Sequence, residues 1–261
     1  MGRGDVGALG VALSLLLVAA AVALSRWQGL RLEASMLWSV LRAMVQLLLV
    51  GAALTLVIDP DRPILASWAW VVGMLAYAGD VVRRRAPRIP RLWRLAVGAF
   101  GVTSAISLGV VFGLGVLPHE GRTVVPLAGL MIGNAMNASV LVTRRVVEDL
   151  RDRRAEVEAR IALGHTAREA AHPSLVTALR TALIPQIETT RAVGLVFLPG
   201  AMTGLILAGV HPVDAVLVQA VVMFLVLGAA ATNATVMALG LPPRLFTADH
   251  RPIWLVRTTE H

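Results

Sequence analysis

Long apolar runs alternate with short polar segments along the whole chain. A run of about 20 apolar residues is long enough to cross the hydrocarbon core of a bilayer as an α-helix. Seven runs reach about this length, and they cover Val6–Leu24, Met36–Ile58, Ile64–Val82, Leu95–Leu117, Thr123–Thr143, Thr181–Val210 and Val213–Leu241. The pattern predicts an all-α, polytopic membrane protein of about seven transmembrane helices, with residues 1–261 forming a single transmembrane domain.

The first run also has features of a secretory signal sequence, because Ala21, Val22 and Ala23 are typical of a cleavage site. Its apolar stretch is nevertheless longer than the roughly 7–15 residues of a signal core. We therefore expect this run to remain in the protein as its first transmembrane helix.

The arginines of the loops predict the orientation of the chain. The loop between the third and fourth runs carries several arginines and no acid between Arg83 and Arg94, and the longest loop, residues 144–180, is also rich in arginine. Because such loops stay in the cytoplasm, the N-terminus is predicted outside and the C-terminus inside. The chain has arginine but no lysine, which is typical of a GC-rich bacterial genome, so we expect a multi-pass protein of the bacterial inner membrane.

Composition excludes several classes of function. Without lysine, the chain cannot form a standard P-loop, whose lysine contacts nucleotide phosphates. Without cysteine, it has no thiolate metal site and no cysteine nucleophile. The net charge of +8 lies in loops beside apolar runs, which the positive-inside rule explains better than nucleic-acid binding does. No spacing assembles a nucleophile with histidine and aspartate, so we expect neither an enzyme nor a cofactor bound by this chain.

The predicted cytoplasmic segment 144–180 begins as a helix. Residues Arg145–Leu163 continue the helical pattern of the fifth run. Pairs of an acid followed four residues later by a base stabilise a helix. Two such pairs occur here, Asp149 with Arg153 and Glu156 with Arg160.

A second helix should follow after a short turn. Gly164 is a typical residue to end the first helix. Thr166 and Glu169 match a capping box, which predicts a helix from Ala167, and Pro173 should break or kink that helix. The resulting knob is either a solvated connecting loop or a coupling element that docks into another protein.

Polar residues inside apolar runs commonly face the interior of a helix bundle. Arg42 and Gln46 share one face of the second run, where Arg42 either extends to the cytoplasmic interface or lines a substrate path. In the fifth run, Asn134 and Asn137 share a face. They either stabilise helix packing or line the same path.

Glycines in the fifth run suggest close helix packing. Gly129 and Gly133 form a small-xxx-small pair, which permits a neighbouring helix to approach closely.

The sixth run is the longest and is predicted to be interrupted. Pro199 and Gly200 follow the apolar stretch Val193–Leu198, and a helix broken inside a membrane needs protein or water to satisfy the freed backbone groups. Glu188 and Arg191 lie just inside the cytoplasmic side of this run. They form either a structural ion pair or, through Glu188, a group that attracts cations.

Several stretches between Met36 and Val226 carry a family resemblance. They are Trp38–Leu47, Pro126–Met136, Leu163–Thr166, Arg180–Pro185, Val193–Gly209 and Gln219. Within the cytoplasmic segment, Glu158–Gly164 also resembles the Glu-Ala-Ala-x-x-x-Gly signature by which permease subunits of ATP-binding-cassette (ABC) transporters engage their ATPase. On these stretches the chain resembles the FetB-type permease family, the iron-export ABC permeases.

The resemblance implies a permease subunit that forms a homodimer, binds separate ABC ATPase subunits, and exports iron or another metal ion. ATP and Mg²⁺ would be bound by the partner ATPase. The implied ATPase-coupling residues are Glu158, Ala159, Leu163, Gly164, Thr166 and Glu169. We place the substrate path at Arg42, Gln46, Asn134, Met136, Asn137, Glu188, Pro199, Gly200, Met202 and Gln219, and assign no metal ligands.

Other functions remain open at this point. An ion-driven secondary transporter would show inverted repeats and buried acids. An ABC permease for a non-metal substrate such as a sugar nucleotide is a second alternative, since related plant proteins are linked to aluminium tolerance and to a sugar nucleotide. A membrane scaffold is a third.

Overall fold

The computed structural model describes residues 8–57, 63–86, 89–194 and 198–247. It divides into two compact units, residues 1–62 and 63–261. These described residues contain no β-strand, which confirms the all-α prediction. Their helices are α1 (Ala8–Trp27), α2 (Glu33–Val57), α3 (Ile64–Arg85), α4 (Leu92–Gly113), α5 (Gly121–Asp152), α6 (Arg154–Ala162), α7 (Ala167–Ala192), α8 (Gly200–Leu207), α9 (Pro212–Gly240) and α10 (Pro242–Leu245).

Five of these helices, α2, α3, α4, α5 and α9, are long and apolar enough to cross a membrane, which confirms a polytopic membrane protein. The apolar part of α1, Leu13–Trp27, is shorter, and the sixth predicted span is divided between α7 and α8. The number of spans, their orientation and the single-domain organisation stay predictions.

In the first unit, α1 and α2 contact each other across a tight turn. Two residues of the turn are left-handed, Gly29 with φ 67° and Arg31 with φ 56°. Ser25 is buried beside it: its hydroxyl accepts a hydrogen bond from the Leu32 backbone N–H at 3.3 Å and donates one to Glu33 Oε1 at 3.4 Å. The serine thus satisfies backbone and side-chain groups where the chain reverses direction.

In the second unit, α5 is the central helix. It contacts α3, α4, α7 and α9, and its buried positions run from Val124 to Leu150. Its 32 residues extend about 48 Å at 1.5 Å per residue, which exceeds the roughly 30 Å of a hydrocarbon core. The last turns of α5 therefore extend beyond a bilayer while remaining part of the packed core of this unit.

Contacts at the two ends of this unit show which loops lie together. The Arg144 side chain of α5 donates from Nε to the Arg85 carbonyl oxygen at the end of α3, at 2.6 Å. Near the start of α3, Trp68 Nε1 donates to His119 Nε2, in the α4–α5 connection, at 3.1 Å. The arginines that end α3 thus lie beside those that follow the apolar part of α5, as the positive-inside rule expects.

The segment 144–180 differs from the prediction in one bend. The expected helix Arg145–Leu163 is divided at Arg153, which has φ −99° and ψ 26° between α5 and α6. The bend returns Val157 to the core, where it is 3% exposed. A straight continuation of α5 would leave this apolar side chain in water, so burial of Val157 explains the division.

Helix α7 runs without interruption through two prolines, Pro173 and Pro185. The predicted break at Pro173 therefore does not occur, and the alternative of a kink there stays a prediction. A proline inside a helix removes one hydrogen bond and costs about 3 kcal/mol, but buried side chains on both sides of Pro173 pack α7 into the core it shares with α5 and α9. These side chains are Ala167, Ala170, Ala171, Ser174, Leu175 and Ala178.

The predicted interruption of the sixth span is confirmed, but it begins earlier than Pro199. Helix α7 ends at Ala192, Val193 is extended, and Gly194 adopts φ 89°, a left-handed conformation that commonly ends helices. Helix α8 starts at Gly200. Backbone groups at both helix ends lack intrahelical partners, so protein or water must supply them within a membrane.

Replacing Gly79 by alanine should destabilise the second unit. A Cβ added at Gly79 would lie 2.5 Å from Val97 Cγ2, and a branched side chain cannot move aside as freely as a long one. We expect the free energy of unfolding to fall by about 1–3 kcal/mol, measured by detergent-denaturant unfolding of the purified protein.

The control is Gly73→Ala on the same helix, where an added Cβ meets nothing within 4 Å. It should leave stability unchanged or raise it slightly. A Gly79→Ala protein as stable as this control would contradict the close packing of α3 on α4.

Candidate functional site

The turn between α6 and α7 lies in segment 144–180, which the sequence predicts to be cytoplasmic. After α6 ends, Gly164 adopts φ 94°. The Thr166 hydroxyl accepts a hydrogen bond from the Glu169 backbone N–H at 3.3 Å, and Glu169 Oε2 accepts one from the Thr166 backbone N–H at 2.8 Å. This is the predicted capping box. It fixes the direction in which α7 leaves the turn.

The cap also holds Glu169 in its charged form. The Thr166 backbone N–H, and after it the Thr166 hydroxyl, hydrogen-bond to the carboxylate and lower the pKa of Glu169 below its ordinary value. His165 Nδ1 lies 4.0 Å from the same carboxylate. The charge of Glu169 is therefore already engaged within the turn.

Three ion pairs join residues four apart, two of them within α6 and one at the bend that precedes it. They join Asp149 to Arg153 at 3.6 Å, Arg154 to Glu158 at 2.7 Å and Glu156 to Arg160 at 2.8 Å. The first and third confirm the pairs predicted from sequence. Exposed pairs contribute at most about 1 kcal/mol each, so their main effect is on orientation. Glu158, a predicted coupling residue, is thus paired within its own helix.

The tip of the knob exposes an apolar side chain. Leu163 is 80% exposed beside Gly164, and Ala159, one turn earlier, is exposed as well. A single exposed leucine is ordinary, and the helix before this one carries four charged side chains among its nine residues. Leu163 is therefore accessible to another molecule at this turn.

Two grooves flank the first turn of α7. One has a volume of about 410 Å³ and is lined by Arg160, His165, Arg168, Glu169 and His172. The other, of about 470 Å³, lies between this turn and the end of α9 with α10, and its lining includes Arg168, Leu239, Pro242 and Phe246. Arg168 lines both grooves and therefore stands on the ridge between them. The sequence did not predict that α10 would lie beside the coupling turn.

The predicted path residues of α5 and α9 have different surroundings. Asn134 Nδ2 donates to the Leu130 carbonyl oxygen at 2.8 Å, so its amide is bonded within α5. Met136 is half-buried against the core and Asn137 is exposed. Gln219 is buried, and its Oε1 has no hydrogen-bond partner among the described residues. These four residues are therefore not joined by hydrogen bonds among the described residues.

The glycine pair of α5 does not act as predicted. A Cβ added at Gly129 would meet Met74 Cε at the ordinary contact distance of 3.8 Å, and one at Gly133 would meet nothing within 4 Å. Among the described glycines, the tight helix contacts are at Gly79 and Gly240 instead. Both lie outside α5, on α3 and at the end of α9.

The far end of α7 carries the predicted ion pair. Arg191 Nη1 lies 2.7 Å from Glu188 Oε1, and both side chains are more than half exposed. Glu188 follows Ala167 by 21 residues, or about 31 Å along the helix axis. The pair therefore lies close to the interruption and far along α7 from the coupling turn, whereas the sequence had suggested a place just inside the cytoplasmic side.

The remaining predicted path residues lie on α2 and at the start of α8. Arg42 and Gln46 are exposed on α2, in the first unit. Pro199 is buried, Gly200 is exposed and Met202 is half-buried. Within the described ranges, no three or more histidine, aspartate or glutamate side chains stand close enough to hold a metal ion. The substrate path stays a prediction.

Sequence reasoning assigned no role to a buried polar contact between α5 and α9. Asn233 Nδ2 donates to Ser139 Oγ at 3.1 Å, and both residues are fully buried. The Ser139 hydroxyl donates to the Ala135 carbonyl oxygen at 2.9 Å. Asn233 Oδ1 has no partner in the part of the chain that the structure describes. The one signal in the sequence is an asparagine inside an apolar run, which does not reveal its partner.

Comparison with known proteins identifies relatives along almost the whole chain. A family model described as "Uncharacterised protein family (UPF0014)" matches residues 8–246. The chain is 31% identical over 243 residues to "UPF0014 membrane protein YjkA" of Bacillus subtilis, covering 93% of this chain and 97% of that protein. No solved structure matches the chain.

Two further relatives have names that refer to metals. The chain is 32% identical over 244 residues to "Protein ALUMINUM SENSITIVE 3" of Arabidopsis thaliana, covering 92% of this chain and 88% of that protein. It is 33% identical over 236 residues to "Probable iron export permease protein FetB" of Escherichia coli, covering 90% of each chain.

The contact between Asn233 and Ser139 should be measurable in a double-mutant cycle. Hydrogen bonds between membrane helices contribute about 0.6 kcal/mol on average and up to about 1.7 kcal/mol. We expect a coupling in this range from the unfolding free energies of Ser139→Ala, Asn233→Ala and the double variant in detergent. A cycle of Asn233→Ala with Ser174→Ala, a buried serine of α7, is the control. Equal coupling in both cycles would contradict a specific bond.

Replacing Thr166 by alanine should raise the pKa of Glu169 toward its ordinary value. The rise should be partial, because the backbone N–H, the larger cause of the lowered pKa, remains. Carbon-13 NMR titration of glutamate side chains, with Glu169→Gln to assign the signal, measures it.

The sign of the stability effect follows from the lowered pKa. The cap stabilises α7 above the ordinary glutamate pKa, and this stabilisation is lost as pH falls through the lowered folded-state pKa. Glu169→Gln should remove that acid dependence. A Glu169 signal that titrates identically in wild type and Thr166→Ala would contradict the role of the hydroxyl.

Proposed function

This chain belongs to the UPF0014 family and is a multi-pass protein of the bacterial inner membrane, and we propose that it is the permease subunit of an ABC exporter whose ATPase is a separate chain. One observation carries the proposal. Helix α7 is continuous from the coupling turn at Thr166 to the interruption after Ala192. A single continuous helix thus joins this exposed turn to the broken span.

In the proposed mechanism, two copies of the permease each bind one ATPase subunit. ATP and Mg²⁺ bind to the ATPase subunits and draw them together. Leu163 anchors each ATPase at the turn, and the capping box of Thr166 and Glu169 holds the turn to α7. Motion of the ATPase then displaces the first turn of α7, and the displacement reaches Ala192 along the helix.

The interruption is where such a displacement can change access across the membrane. Packing with α5 and α9 covers the first part of α7 up to Ala182, and the following turns are more exposed. Helix α8 contacts α9. A shift of α7 therefore changes its relation to α8 through the residues between Ala192 and Gly200.

The proposed substrate is a metal ion, with iron as the first candidate. The support is the name of the Escherichia coli relative, which refers to iron export, and that of the Arabidopsis relative, which refers to aluminium. Carboxylate and carbonyl oxygens are the ligands that hard cations prefer. Glu188, which pairs with Arg191 at 2.7 Å, and the last carbonyl groups of α7 provide such oxygens, and a helix C-terminus carries partial negative charge.

Replacing Leu163 by glutamate should uncouple the two subunits. A charge at this position cannot enter an apolar pocket, so we expect loss of ATPase co-purification and of ATPase stimulation by the permease. Leu163→Met should retain both. Ala155→Glu places the same charge on an exposed position of α6 and is the matched control, expected to behave as wild type.

The same proteins in liposomes test the direction and substrate of transport. Wild type with its ATPase should move iron in an ATP-dependent way, and Leu163→Glu should not. Transport by the permease alone, driven by an ion gradient without ATP, would contradict the proposal and favour a secondary transporter. ATP-dependent transport of a sugar nucleotide but not of metals would keep the ABC assignment and overturn the substrate.

A further inference from the structure

The 410 Å³ groove between α6 and α7, at the coupling turn, is lined by two arginines, Arg160 and Arg168, and by Glu169. Glu169 is its only lining acid, and that carboxylate is engaged by the cap of Thr166. Arg160 is held by Glu156 at 2.8 Å. Arg168 forms no ion pair within the described residues. A guanidinium on the exposed ridge of a rigid turn is therefore left available for an anion.

The residues around Arg168 favour an anionic group of a protein over a lipid headgroup. On one side of this arginine lie the histidines of the basic groove, His165 and His172. On the other side lies the second groove, whose lining includes the apolar side chains of Leu239, Pro242 and Phe246. Arginine beside apolar pockets is typical of the centre of a protein–protein interface, whereas a lipid headgroup needs only the charges.

We infer that Arg168 binds a carboxylate side chain of the ATPase subunit, with the neighbouring apolar groove receiving the residues beside that carboxylate. The planar guanidinium donates two parallel hydrogen bonds to a carboxylate. This inference rests on the proposed function, because it names the chemistry by which the same partner is recognised. It assigns a role to a residue outside the coupling signature.

The inference also specifies which charge each subunit contributes to the interface. Glu158, the acid of the coupling-like sequence, is paired with Arg154 at 2.7 Å within α6. The available charge at the turn is therefore basic on the permease and acidic on the ATPase. Leu163 precedes the capped turn and Arg168 follows it. The same turn therefore presents one apolar and one charged side chain to the partner.

Charge reversal at Arg168 tests the inference. Full-length permease in nanodiscs of neutral lipid is titrated with the purified ATPase subunit. We expect Arg168→Glu to weaken binding by about tenfold or more, since like charges across an interface repel, and to reduce its dependence on salt. Arg151→Glu, an exposed arginine at the end of α5 that does not line the groove, is the matched control and should bind as wild type.

A charge swap identifies the partner group. An acidic-to-arginine substitution in the ATPase should restore binding to Arg168→Glu while weakening binding to wild type. Thermal unfolding of Arg168→Glu must match that of Arg151→Glu, and Arg168→Gln, which adds no negative charge, provides a second variant with an intermediate loss expected.

Other results would overturn the inference. Wild-type affinity in both Arg168→Glu and Arg168→Gln would do so. It would also fail if Arg168→Glu lost binding to phosphatidylglycerol vesicles but kept wild-type ATPase affinity, which would make the groove a lipid site. These outcomes differ from failure of the proposed function, in which the wild-type chain itself binds no ATPase.

Discussion

The burial of α5 along its whole length is the constraint on which the second unit depends. Helices α3, α4, α7 and α9 all contact it, and buried side chains continue from Val124 to Leu150. Because α5 is longer than a bilayer is thick, the same helix organises both the membrane bundle and the cytoplasmic knob. The knob therefore does not hang from a flexible linker. Val146, Val147 and Leu150 pack in the same core as residues of the membrane-spanning part.

This shared core holds the first half of α7 and leaves its second half more exposed. Its first half is fixed by small buried residues from Ala167 to Ala182, which hold it helical through Pro173. Its second half has no comparable burial, and it ends at Val193 and Gly194 because glycine accepts the left-handed conformation. A displacement applied at the capped end is carried by the helix, since its backbone hydrogen bonds must stretch together. The unpacked end is free to respond, and it carries Glu188 next to the interruption.

Local signals made much of this architecture predictable, and long-range packing decided the rest. Apolar run length predicted the helices, and spacing of four predicted the ion pairs of α6. Thr166 and Glu169 predicted their cap, because a capping box needs only residues three apart. The prediction of a helix break failed at Pro173, where packing against α5 outweighs the helix-breaking tendency of proline, and the prediction of close packing failed at Gly133, where no neighbour approaches. The bend at Arg153 and the bond from Asn233 to Ser139 depend on partners that the chain order does not reveal.

Buried polar atoms without hydrogen-bond partners among the described residues lie in the bundle and also beside the knob, where they include Asp149 Oδ2 and Arg244 Nε. At the coupling turn, backbone and carboxylate groups pair with one another, and that order suits a surface that must keep its shape while it is pushed. In the bundle, Gln219 Oε1 and Asn233 Oδ1 are buried without partners among the described residues, and an unpaired buried oxygen is costly unless water or a ligand can reach it. In the proposed exporter, Glu188 lies about 31 Å along α7 from the turn that binds the ATPase. Residues around Glu188 can therefore be replaced without altering that turn. The identity of the substrate and the coupling to the ATPase consequently need separate tests.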